Sequence, residues 1–192
     1  MSILSNPFFF TPAAAAGRHT RGIFGFGYIW GTGRTTLTNL VSSDGVVSSD
    51  VAGVSGVTDR TELGASTYGG DKAIFAFGVQ GASYQNVSNL VSNEGVVAAD
   101  VTGVGSVGYR AGTTYGGDLC LFWGGHAEIN TVSLVSSSGV VAAASTGGGT
   151  GRYASSATTY GVDTAIIGYG YSGGATSISN LVSNIGAISA AV

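Results

Sequence analysis

The residues that could do chemistry are few, and their spacing does not bring them together. The two histidines, His19 and His126, lie far apart, and neither belongs to an H-x-x-H or cysteine-paired pattern, so no zinc signature is present. Cys120 is the single cysteine and cannot form an internal disulfide. It sits in the apolar run Leu119-Cys-Leu-Phe-Trp123, where a free thiol usually behaves as a small hydrophobe, and no base adjoins it. Acidic residues recur at Asp71, Asp118 and Asp163, each just before an apolar run, and at Asp50 and Asp100. An Asx-turn accounts for the first three, and the D-x-D-x-D spacing of a calcium loop is missing. Gly31-Thr-Gly-Arg-Thr-Thr36 lacks the Gly-Lys-Ser/Thr ending of a phosphate loop, and Gly147-Gly-Gly-Thr-Gly151 reads as a turn. Serines are abundant, yet no nucleophile elbow sits on a strand-to-helix turn, and no pair of carboxylates has a glycosidase-like context. The chain is expected not to be an enzyme, with no catalytic, metal-binding or cofactor-binding residues.

Binding chemistry has better candidates. Tyr28, Trp30, Tyr84, Trp123, Tyr169 and Tyr171 lie in or just after glycine-closed apolar runs, so several are expected to share one face. Aromatic side chains among Ser, Asn and Gly suit a sugar- or protein-recognising surface; filling the core is the alternative use of the same rings. The contact candidates are Trp30, Trp123 and Tyr171, with Phe8, Phe9 and Phe10 of the N-terminal arm.

The elements that must carry these residues repeat. The phrase Asp71-Lys-Ala-Ile-Phe-Ala-Phe-Gly78 has copies at Thr20–Gly27, Asp118–Gly125 and Asp163–Gly170. Each is a short apolar run closed by glycine, the pattern of a strand buried on both faces. A second phrase follows at Asn39-Leu-Val-Ser42, Asn89-Leu-Val-Ser92, Ser133-Leu-Val-Ser136 and Asn180-Leu-Val-Ser183, its leucines 50, 44 and 47 residues apart. Gly45-Val-Val47, Gly95-Val-Val97, Gly139-Val-Val141 and Gly186-Ala-Ile188 come next, two residues on, as in a hairpin. A last phrase, Ser66-Thr-Tyr-Gly69, Thr113-Thr-Tyr-Gly116 and Thr158-Thr-Tyr-Gly161, leads into the following apolar run.

One unit therefore reads as four short strands, with the Thr-Tyr strand closing it, over 21–71, 72–118, 119–163 and 164–192. Four antiparallel strands in roughly 40–50 residues make a propeller blade. The expected fold is all-β, a small β-propeller of about four four-stranded blades, preceded by an arm over residues 1–20. The fourth unit lacks a Thr-Tyr strand in this phase. Phe8 to Ala16 is expected to supply it and close the ring; pairing of the open edges with a neighbouring subunit is the alternative.

Composition agrees with this architecture and removes several function classes. The 192 residues suffice for one core; charged residues make up 9%, against roughly 25% in ordinary soluble domains. From Thr131 to Val192 only Arg152 and Asp163 are charged, so this flank is either polar without charge or covered by partner chains. A net charge of −3 gives no general footprint for nucleic acid, and the cluster Arg18, His19, Arg21 and Arg34 fits a solvated arm as well as a phosphate contact. No apolar run reaches the roughly 18 residues of a membrane helix. The Met1–Ala16 stretch lacks the basic start of a signal peptide and is interrupted by Asn6 and Pro7, so it is expected to be retained.

The glycine-closed apolar strand resembles that of a kelch-type propeller blade, although the Trp and Tyr expected later in a kelch unit have no counterparts here. The phrases Ser88-Asn-Leu-Val-Ser-Asn-Glu-Gly-Val-Val97 and Ser66-Thr-Tyr-Gly-Gly-Asp-Lys-Ala-Ile-Phe75 resemble repeats in tail and virion structural proteins of tailed bacteriophages, cyanophages included. The likeness spans roughly Arg21 to Val192 and includes no catalytic motif. It implies a structural or adhesive protein of a virus particle, assembled in the host cytoplasm. Its implied partners are other virion proteins, copies of itself and, in an adhesive role, a host-surface glycan.

Overall fold

The structure, a computed structural model, describes residues 21–192 apart from 104 and 106. The described residues are all-β, with four main antiparallel sheets following one another along the chain, two further two-stranded hairpins and one short 3-10 turn at His126–Glu128. The first sheet pairs Gly22–Gly25 with Thr38–Val41. The second orders Gly64–Tyr68, Lys72–Ala76, Val87–Val91 and Val101–Thr102 from one edge to the other. In the third, Ala111–Tyr115, Leu119–Trp123, Thr131–Val135 and Ser145–Thr146 take the same order. The fourth holds Ser156–Tyr160, Thr164–Gly168 and Ser179–Val182.

This order corrects the phase of the unit. The Thr-Tyr strand opens the second, third and fourth sheets, because the three residues after it form a tight hairpin turn. In the second sheet the turn is Gly69-Gly70-Asp71, in which Gly69 (φ 58°) and Gly70 (φ 82°) both take the left-handed conformation that glycine adopts without strain. Tyr68 is therefore opposite Lys72, and Tyr160 opposite Thr164. The fourth sheet has its Thr-Tyr strand, and the sheet lacking one among the described residues is the first. The expected closing strand over 8–16 and the arm over 1–20 fall outside the described residues.

The Gly-Val-Val phrases make one bridge each instead of a strand: Val41↔Val47, Val91↔Val97, Val135↔Val141 and Val182↔Ile188. Their tips are copies of one turn. The serine hydroxyl accepts from the backbone N–H four residues on, at 3.1 Å, in Ser42, Ser92, Ser136 and Ser183. The outer edge then returns in constant register. Thr38 bridges Val51, Ser88 pairs with Val101, Val132 pairs with Ser145, and Ser179 exchanges backbone hydrogen bonds with Val192. The recurring asparagine staples this return. Nδ2 of Asn39, Asn89 and Asn180 donates to the carbonyls of Ser48, Ala98 and Ser189 at 3.1, 3.0 and 2.9 Å.

Successive sheets pack face to face, with an apolar layer at each junction. Ile23 and Phe26 meet Ala73 and Phe75; Ile74 and Phe77 meet Cys120 and Phe122; Leu121 and Trp123 meet Ala165 and Ile167. Alternation along a strand accounts for this, since Phe75 faces the preceding sheet while Ile74 faces the next. Hairpin tips are tied as well: Gly69 N–H donates to Asp118 O, and Gly116 N–H to Asp163 O, both at 2.7 Å. Asp118 and Asp163 thus serve through their carbonyls, while the Asp71 carboxylate accepts from Asn93 Nδ2 at 3.3 Å.

Three arginines lock the junctions. Arg60, Arg110 and Arg152 precede the second, third and fourth sheets and are almost wholly buried. Each guanidinium stacks on a ring of the preceding sheet, Arg60 on Phe26 and Arg110 on Phe77 at 4.6 Å, Arg152 on Trp123 at 4.7 Å. Each Nε donates to a carbonyl at the end of its own sheet's apolar strand: Phe77 O (2.7 Å), Gly124 O (3.0 Å) and Tyr169 O (2.7 Å). Those residues and Phe26 all have φ between 61° and 71°. Three of the four are aromatic, so L side chains are held there at a cost of about 1–3 kcal/mol each. The backbone turn aims the carbonyl at the arginine. Burial lowers all three arginines from their ordinary range, Arg60 and Arg110 to about 10, with Asp100 at 3.7 Å partly restoring Arg60.

Candidate interaction surface

Between the apolar strand and the Leu-Val strand each sheet makes a short excursion past its closing glycine. In the first sheet this is the hairpin Tyr28–Ile29 with Gly33–Arg34, and in the second Val79–Gln80 with Ser83–Tyr84. In the third it is the 3-10 turn, and in the fourth the bridge Tyr171↔Ala175. The arginine-bearing segments rest on these excursions: Gly27 N–H donates to Arg60 O at 3.2 Å and Gly125 N–H to Arg152 O at 3.0 Å. One end of the sheets is thereby built from rings.

Five rings form a continuous row there. Tyr84 packs on His126 at 4.9 Å between centroids, and Tyr109 lies 6.3 Å from His126. Tyr109 meets Tyr153 edge-on at 5.7 Å, and Tyr153 meets Tyr171 at 5.2 Å. Tyr84 and Tyr171 are exposed at the two ends. Two carboxylates border the row. Glu62 accepts from the Tyr109 hydroxyl, and burial, followed by this bond, pushes the phenol up to about 12. Glu128 accepts from Gly173 N–H at 2.8 Å and from the Ser172 hydroxyl at 3.4 Å. Flat apolar faces beside fixed acceptors can stack a sugar ring and take its hydroxyl hydrogens.

The structure distributes the expected contact residues unevenly. Tyr171 and Tyr84 are in the row. Trp30 stands at the tip of the first hairpin, 93% exposed and outside the row. Trp123, expected as a contact, is fully buried. The reason is a local exchange: where the other sheets have a small residue and then Phe26, Phe77 or Tyr169, the third has Trp123 and then Gly124. The tryptophan, one position early, supplies the ring that its arginine needs. Phe8, Phe9 and Phe10 lie outside the described residues. Sequence reasoning missed Tyr109, His126 and Tyr153; their signal is adjacency to the recurring Arg110 and Arg152 and to the closing Gly125.

The reactive groups singled out from the sequence stand apart from one another among the described residues. Cys120 is buried, and its thiol is pushed up to about 12. Gly170-Tyr-Ser-Gly-Gly174 has the spacing of a nucleophile elbow but opens no helix, and Ser172 faces Glu128. No group of three His, Cys, Asp or Glu side chains gathers among the described residues. No described helix is long and apolar enough to cross a membrane. In comparisons with known proteins, the chain matches no family model and no curated sequence.

Proposed function

We propose that this protein is a non-enzymatic structural component of a virus particle, a phage tail or capsid-associated protein that acts through protein–protein contacts. In this reading the sheets are blades of a β-propeller, with the Thr-Tyr strands innermost. The observation that carries it is a row of apolar tips. Val46, Val96 and Val140, each just after the turn glycine, are 66%, 58% and 66% exposed, and Ile185 at the last tip is 76% exposed. An apolar side chain displayed at the same place in successive sheets is a periodic surface for partner proteins. The likeness of the repeat phrases to phage virion proteins supports the same reading. Mass spectrometry of purified particles tests it: the chain is expected at stoichiometric abundance, and incorporation is expected to fall when Val46, Val96 and Val140 are changed together to lysine. A chain absent from particles ends the proposal.

A second reading, a glycan-binding module for host attachment, is favoured by the ring row from Tyr84 to Tyr171. Tyr153→Ala and Tyr171→Ala are then expected to lower binding on a glycan array by tenfold or more. An array blank for the unaltered protein counts against it.

A further inference from the structure

Every junction between sheets uses the same columns, which allows the two outer faces to be read as halves of a junction. At interior junctions the turn glycine of one sheet seats on the leucine and tyrosine of the sheet before it. A Cβ on Gly139 would meet Leu90 and Tyr68, and one on Gly186 would meet Leu134 and Tyr115, all within 3.2 Å. Tyr68 and Tyr115 are each 3% exposed as a result. Tyr160, their counterpart in the fourth sheet, is 44% exposed, and the neighbouring Leu181 is 42% exposed. Gly45, the counterpart glycine of the first sheet, has nothing within 4 Å of its Cβ position.

The aromatic column shows the same vacancy. Phe75 and Phe122 pack edge-on against Phe26 and Phe77 of the preceding sheets, at 5.1 and 5.4 Å. Phe75, Phe122 and Ile167 are therefore 4%, 0% and 0% exposed, while Phe24 in the first sheet is 39% exposed. On the opposite face, Tyr169 occupies the position of Phe26 and Phe77 and is 68% exposed, where they are 8% and 2%. Among the described residues, the fourth sheet thus presents a leucine, a tyrosine and a ring without their complement, and the first sheet a glycine tip and a phenylalanine without theirs.

We propose that the open face of the fourth sheet receives the open face of the first sheet of a second copy, head to tail. Gly45 of that copy seats on Tyr160 and Leu181, and its Phe24 packs against Tyr169, in the register of the interior junctions. The occupant is another copy because both faces stand open in the same chain, and because the fit requires a bare glycine tip beside a phenylalanine. Contacts of this heterologous kind close into a ring when the rotation per copy allows it. Two copies supply two sets of four sheets, within the roughly 4–8 blades that propellers use. This self-contact deepens the structural role proposed above and rests on that reading only for its biological setting.

The test is the solution mass of the full chain across a concentration series, with two single variants, Phe24→Asp and Leu181→Asp. Both sites are exposed, and a far-UV spectrum checks the fold; Tyr160→Asp replaces either variant that misfolds. The unaltered chain is expected to have a concentration-dependent mass of at least two chains, and each variant alone the mass of one. An equimolar mixture of the two variants is expected to regain a one-to-one dimer, since one intact face of each kind remains. A self-matching patch gives no such rescue. A monomeric unaltered chain, variants that still associate, or a mixture that stays monomeric each overturn the contact. A monomer found in particles removes the head-to-tail contact alone; a head-to-tail assembly missing from particles removes the virion role alone.

Discussion

The middle sheets and the outer sheets carry the same columns and treat them differently. In the second and third sheets Phe75, Phe122, Tyr68 and Tyr115 are all but sealed, whereas Phe24 and Tyr160 in the first and fourth are around two-fifths exposed. Burial here is not a property of a residue's place in the phrase. It depends on whether another sheet lies against that face. The repeats are thus units that cannot each bury their own apolar surface, and stability grows with every junction made.

The largest expected break in this comparison is at a fully sealed ring. Phe122→Ala removes a side chain packed against Phe77 at the central junction and is expected to cost about 3–5 kcal/mol. Phe24→Ala, in the same column, is expected to cost about 1 kcal/mol or less in the monomer. Urea midpoints for the two variants check this, and equal losses would remove the distinction between middle and end.

Next come the arginines. Arg110 is buried, and its Nη1 donates to Ser133 Oγ at 2.8 Å while Nη2 donates to Thr131 O at 3.0 Å. Arg110→Ala leaves Ser133 Oγ and Gly124 O without their arginine donor, while Thr131 O keeps Gly124 N–H at 3.0 Å; with the lost stacking the expected loss is about 2–4 kcal/mol. Arg110→Lys is expected to recover little, because one ammonium cannot stack flat on Phe77 and reach all three oxygens. Full recovery by lysine in thermal melts would show that charge alone matters at the junction.

Alkaline pH sharpens the comparison at one buried group. The Cys120 thiol is raised from 9.0 to about 12 by burial, so the folded chain keeps its proton where the unfolded chain loses it. Stability therefore falls as pH rises above about 9. Above about 10 the picture mixes: the raised Tyr109 phenol lowers stability further, while the lowered Arg60 and Arg110 oppose it. The clean window is pH 8 to 10, where a decline of roughly 1 kcal/mol is expected and Cys120→Ala should flatten it. An unchanged slope in Cys120→Ala would assign the decline elsewhere.

Much of the fold could be read from the chain because stacking places the same demand on every copy. Leu40, Leu90, Leu134 and Leu181 recur for that reason, and so do the glycines that let the tips seat. The phase was harder, since a repeat has no marked beginning; the short turn Gly69-Gly70-Asp71 is the local signal that joins the Thr-Tyr strand to the apolar strand after it. The arginines were hard to see because their neighbours vary and their spacing drifts, from 50 to 42 residues, with loop length. The ring row was legible at Tyr84 and Tyr171 and hidden at Tyr109 and Tyr153, which only long-range stacking brings together. Tryptophan type alone misplaced Trp123, because its exchange with Gly124 shows only when the two are set against Ala76-Phe77.

The smallest expected effect is at the other tryptophan. Trp30 is 93% exposed at a hairpin tip, so truncation removes almost no buried surface, and Trp30→Ala is expected to change stability by less than about 0.5 kcal/mol. With Trp123 sealed beneath Arg152, the two indoles also report separately. Unaltered protein should show one red-shifted, quencher-accessible emission and one protected emission, and Trp30→Ala should leave only the protected one. If a second copy docks head to tail as proposed, the hairpin tip lies outside the columns that meet, and Trp30 should remain open to quenching in the assembled form. Loss of quenching on assembly would move the contact from the sheet faces to the hairpins, and with it the reason for the difference between middle and end.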